Sequence, residues 1–129
     1  MEKLKETVFN IFNQAGWVKA EEPKGCFFDD RPMITDPETG MIVNATHYPP
    51  GFYKPLHRHT CSHAIYVIEG KLKTDTGIYG PGSLVWHPAG YETGHGATEE
   101  EGCTFLFIAN KPFDIEFLPE TDTAADNSD

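Results

Sequence analysis

The stretch Gly51–Gly70, GFYKPLHRHTCSHAIYVIEG, carries three histidines within seven residues: His57, His59 and His63. His57 and His59 stand two residues apart. In an extended strand that spacing puts both side chains on one face, about 7 Å apart along the backbone. Two imidazoles converging from one face suit a metal ion. Such a local group still needs a ligand from a distant segment, and His87 and His95 in WHPAGYETGH supply candidates. The plainer reading is of histidines that sit on the surface or hydrogen-bond within the core, and spacing alone does not choose between the two. Cys61, between His59 and His63, reads either as a soft ligand or as a buried structural thiol. A zinc finger is disfavoured because no cysteine pair is present.

Outward from this stretch the chain reads as strand and turn. His63 to Glu69 (HAIYVIE) and Cys103 to Ala109 (CTFLFIA) are rich in β-branched and aromatic residues. Met41 to Tyr48 reads as a strand between the turn Asp36-Pro37-Glu38-Thr39-Gly40 and the stop Pro49-Pro50-Gly51. Lys71 to Tyr79 fits two short strands around Asp75-Thr76-Gly77, and Ser83 to His87 and Phe113 to Leu118 complete the set. Trp17 to Ala20 and Gly25 to Phe28 are weaker candidates. Many short strands between Gly and Pro turns predict an all-β sandwich or barrel over residues 17–118. Residues 1–16 are expected to be helical, since Leu4, Val8, Ile11 and Phe12 fall at helical spacing before Gly16. Residues 119–129, PETDTAADNSD, are expected to be a disordered acidic tail.

The chain has 129 residues and a formal net charge of −10. One domain with its own core is expected. The acidic balance argues against nucleic-acid and anionic-membrane partners, since both need basic patches. Three widely spaced cysteines do not form a disulfide framework. With no signal-type or membrane-length apolar run, a cytoplasmic location is expected.

The histidine stretch resembles a known family. Gly51, His57, His59, His63 and Gly70 read G-x5-H-x-H-x3-H-x6-G, and the first cupin motif is G-x5-H-x-H-x3,4-E-x6-G. Only His63 departs, standing where the family usually has glutamate. Gly82, Pro88 and Gly90 read G-x5-P-x-G, the opening of the second motif. That motif then expects a histidine where this chain has Thr93. The DPETG turn ahead of the histidines looks like the branch that holds acetylacetone dioxygenase and ChrR-type cupins.

The resemblance implies a jelly-roll barrel, or double-stranded β-helix, with one divalent metal ion inside. It implies His57, His59 and His63 as ligands, with His95 the fourth if the loop after Gly90 bulges at Gly94 and Gly96. His87 and Thr93 are the reserves. Fe(II) is the favoured ion, with Zn, Ni, Mn and Cu as alternatives. The implied activity is a non-haem iron dioxygenase acting on a small enolisable, diketone-like substrate. A sensing module without turnover and a metal-dependent isomerase or lyase are the other readings. In the sequence no acid–base residue stands out. Phe52, Tyr53, Tyr91 and Glu92 are expected near the mouth, and the aromatic run at 105–107 in the core or an interface. Many cupins pair through sheet edges, so a homodimer is expected.

Overall fold

The computed structural model describes residues 4–119. Eleven strands follow in order: β1 (Val18–Glu21), β2 (Phe27–Thr35), β3 (Ile42–Tyr48), β4 (Tyr53–His59), β5 (His63–Gly70), β6 (Leu72–Thr74), β7 (Gly77–Tyr79), β8 (Leu84–His87), β9 (Thr93–Ala97), β10 (Cys103–Ala109) and β11 (Ile115–Phe117). They form two antiparallel sheets, ordered β1-β2-β3-β10-β5-β8 and β11-β4-β9-β6-β7. The expected all-β jelly-roll architecture is therefore present. Its most apolar strands, β5 and β10, lie side by side in the larger sheet, where period-2 alternation sends Ile65, Val67 and Phe105 inward.

Both sheets contribute to one core. Phe28, Tyr48, Ile65, Val67 and Phe105 from the larger sheet meet Leu72 and Ala97 from the smaller. Ile65, Val67 and Leu72 are fully buried, each worth about 1.5–3 kcal/mol in area terms. Tyr48 packs edge-on to Phe105 at 5.0 Å and stacks on Phe52 at 4.3 Å. This core borders the histidines, since the Tyr48 hydroxyl lies 3.0 Å from His95 Nδ1. Gly70 closes β5 with φ +81, and a Cβ there would fall 1.9 Å from the Gly102 carbonyl oxygen, so the turn needs glycine.

Two expectations are corrected. Residues 4–14 form no helix. Leu4, Val8 and Phe12 are exposed, so the apolar stripe has nothing to bury against, and a helix this short is marginal in water. The backbone instead uses local partners: Phe12 N–H donates to Asn10 Oδ1 and Ala15 N–H to Asn13 Oδ1. The segment is a strap across the outer face of the larger sheet. Arg31 holds it by donating to the Asn10 carbonyl at 2.6 Å and lying 5.6 Å from the Phe9 ring centroid. Second, Thr93–Ala97 is a regular strand, not a bulged loop. Gly96 serves close approach: a Cβ would lie 1.9 Å from the Phe52 carbonyl oxygen. The acidic tail lies outside the described residues except for Pro119. Among the described residues no helix is long and apolar enough to cross a membrane.

Candidate metal centre

Strands β4 and β9 are neighbours in the smaller sheet, and they bring His57, His59 and His95 together. One ligand atom from each of the three lies within 4.8 Å of the others. The pairing needs a bulge, but on β4. Lys54 sits opposite His95 and His57 opposite Thr93, so three steps on β4 face two on β9. The extra residue falls at Pro55-Leu56, where proline has no N–H to give the ladder. The two-residue displacement of His95 from the motif position at Thr93 is an even step along a strand, so both side chains face inward. Thr93 is buried and donates to Asp75 Oδ1 at 2.9 Å.

Two of the three rings, those of His57 and His95, are oriented through one nitrogen as a metal ligand would be. His57 Nδ1 donates to the Pro55 carbonyl at 2.7 Å, which leaves Nε2 with its lone pair free. His95 Nδ1 lies 3.0 Å from the Tyr48 hydroxyl. His57 Nε2, both nitrogens of His59 and His95 Nε2 are buried without a hydrogen-bond partner. Buried polar groups are ordinarily satisfied, so four orphan nitrogens in one cluster call for a cation. Burial favours the neutral form in all three. It lowers His57, takes His59 down to about 2 with help from the neighbouring His63 and His57 charges, and holds His95 well below the ordinary value. Neutral imidazole is the ligating form. The donor set fits a divalent ion that accepts imidazole.

His63 is buried beside this group, its ring centroid 4.1 Å from that of His59. It projects from β5 in the opposite sheet, and its Nε2 lies 3.2 Å from His87 Nδ1. Burial and the His87 charge take it down to about 4. The structure thus unites three of the four expected ligands and places His63 alongside, bonded to His87. Cys61 is a buried thiol directed at the Lys111 carbonyl, 3.6 Å away.

A cavity of about 510 Å³ opens beside His59 and His95. Phe107 and Phe113 crowd its His59 end, with ring centroids 5.6 and 5.0 Å from that imidazole. Phe105 is in the core and Phe107 packs against it, as expected, and both also line the cavity. Toward Phe28 the lining turns polar, with Glu22, Asp30, Thr46 and Lys54. Lys54 is 5 % exposed, and its Nζ lies 3.3 Å from Glu22 Oε1 and 4.6 Å from the Phe28 ring centroid. Burial lowers its pKa, opposed by the Glu22 charge. Burial raises Asp30, opposed by a hydrogen bond from Thr46 Oγ1. Sequence reasoning missed this ionisable group. None of Phe52, Tyr53, Tyr91 and Glu92, expected near the mouth, lines this cavity: Phe52 is in the core, Tyr91 stacks on His87 at 4.9 Å, and Glu92 pairs with Arg58 at 3.2 Å.

Two antiparallel sheets closing on inward histidines at this spacing define a cupin. More narrowly, the chain belongs to the ChrR cupin-like domain family, whose model matches residues 5–114. No curated protein is matched. Among solved structures it is similar to a cupin-like protein of Ralstonia eutropha (22% identity, TM-score 0.60, 68% of this chain and 62% of that one). It is similar to the polyketide cyclase RemF of Streptomyces resistomycificus (24%, 0.62, 93% and 88%). A third is an acetylacetone dioxygenase of Acinetobacter johnsonii (16%, 0.69, 94% and 84%). At such identities the likeness establishes the fold. The chain spans a little under two thirds of the Ralstonia protein.

Proposed function

We propose that this cupin is a metal-dependent enzyme of the dioxygenase type, acting on a small enolisable substrate. The observation that carries the reading is the cluster of buried, unpartnered imidazole nitrogens of His57, His59 and His95, opening onto a cavity. A divalent ion held there supplies Lewis acidity, and Fe(II) adds reactivity toward O₂. Three neutral ligands leave the ion its full charge, which favours an enolate over a neutral ketone. Around it, Pro55 and Tyr48 orient two of the imidazoles, while Phe107 and Phe113 crowd His59 and exclude water. The likeness to an acetylacetone dioxygenase supports the choice of reaction class.

A second reading, a metal-dependent isomerase or lyase, is favoured by the ionisable group Glu22, Asp30 and Lys54 in the same cavity. Proton-transfer chemistry needs such groups, and the likeness to a polyketide cyclase points the same way.

The test is metal content and oxygen uptake of untagged protein. About one equivalent of metal is expected, lost in His57→Ala and His95→Ala and weakened in His63→Ala. Oxygen consumption with an enolisable diketone supports the dioxygenase. Anaerobic conversion of a carbonyl compound supports the second reading. A wild type that holds no metal after reconstitution overturns both.

A further inference from the structure

Lys54 has three N–H donors and, among the described residues, one hydrogen bond, to Glu22. Its ammonium is almost wholly buried and lines the cavity. Asp30 lines the same cavity, with Oδ1 taken by Thr46. Spare donors and a carboxylate acceptor thus face one space. A free carboxylate ligand would meet the Glu22 and Asp30 charges, and an ammonium ligand would meet Lys54. A hydroxyl satisfies both sides, because its oxygen accepts from Lys54 while its proton is donated to Asp30. Lys54 is also the strand partner of His95, so a ligand at the histidines lies within its reach.

At its His59 end the cavity is walled by aromatic rings. Phe107 and Phe113 lie 5.4 Å apart by ring centroids beside His59. The volume, about 510 Å³, far exceeds what a bare five-carbon diketone fills and falls in the range of pockets that enclose drug-sized ligands. We infer that the cavity accepts a flat, hydroxylated ring compound, a phenol or cyclic enol, whose hydroxyl bridges the Lys54 ammonium and the Asp30 carboxylate. As a substrate class this rests on the metal-centred reading above; as a binding site it stands on the cavity alone.

The experiment uses the full chain loaded with redox-inert zinc, and measures dissociation constants for ortho-hydroxyacetophenone, resacetophenone and quinacetophenone. The latter two add one ring hydroxyl. At least one of them is expected to bind wild type fivefold or more tighter than the parent. Lys54→Met is expected to erase that gain while leaving the parent within twofold. No gain in the wild type, or the same gain in both proteins, overturns the proposal. Where Lys54→Met does not fold, Asp30→Asn serves: it is expected to cut the gain at least twofold, and an unchanged gain overturns the proposal. If wild type takes up no zinc, the metal-centred reading fails, and acetophenone against its 3- and 4-hydroxy derivatives, compared in metal-free wild type and Lys54→Met, decides this one.

Discussion

His59 has no hydrogen-bond partner on either ring nitrogen, and its neighbours are other imidazoles and phenyl rings. Without an ion, such a residue makes the native state refuse protons that the unfolded chain accepts. The unfolded value is 6.5, against about 4 for His63 and about 2 for His59 in the native state. A depressed native pKa gives stability that is whole above the unfolded value and is lost as pH falls through the window down to the native one. The urea midpoint of the metal-free protein is therefore expected to fall steadily below about pH 6.5, with the raised Asp30 opposing at the acid end. A flat profile between about pH 8 and about pH 5 would show that the histidines are not buried neutral. Tyr48→Phe removes the hydroxyl that partners His95 and is expected to weaken metal binding about 10-fold or more, measured by chelator competition.

At the scale of elements, β4 and β9 decide the site, and their join is tight. Gly96→Ala puts a methyl group into the Phe52 carbonyl and must push β9 away from β4. A lowered melting temperature together with lost metal binding is expected, since the ladder and the ligand set share this contact. These were also the elements least legible in the sequence. Strands β3, β5 and β10 announce themselves by continuous apolar and β-branched residues. The run TGHGA of β9 has almost no strand propensity and is extended because β4 and β6 flank it. Spacing marked His57 and His59 as candidate ligands, and His95 entered only as the histidine nearest the motif position at Thr93, yet Lys54, three residues before His57, reads as facing the other way. The bulge at Pro55-Leu56 restores its parity, and a bulge leaves little trace in sequence. Asp30, on β2, and Glu22, just past the end of β1, were beyond reach because β1 and β2 lie in the other sheet from β4. The N-terminal strap was misread because an amphipathic stripe at helical spacing does not say whether a surface exists to receive it.

For the whole molecule, the outer face of the larger sheet is divided. The strap covers Arg31 and its surroundings, while the far half carries Tyr66, Leu84 and Trp86, with Leu84 66% and Trp86 60% exposed. Tyr66 pairs with Leu84 and Ala64 with Trp86, so these side chains form one face ending at β8, an edge strand. An open edge beside an apolar face suits an isologous contact with a second copy. Sedimentation is expected to give a dimer for wild type and a 14.4 kDa species for a Leu84→Lys, Trp86→Glu double variant. A monomeric wild type removes the expectation.

The bulged join between β4 and β9 has a further consequence. The three clustered imidazoles all belong to adjacent strands of one sheet, so an ion there fastens a seam and does not bolt one sheet to the other. Amide hydrogen exchange should then slow along β4 and β9 when metal is added. It should stay nearly unchanged in β8, whose edge would keep breathing whether or not the barrel is loaded.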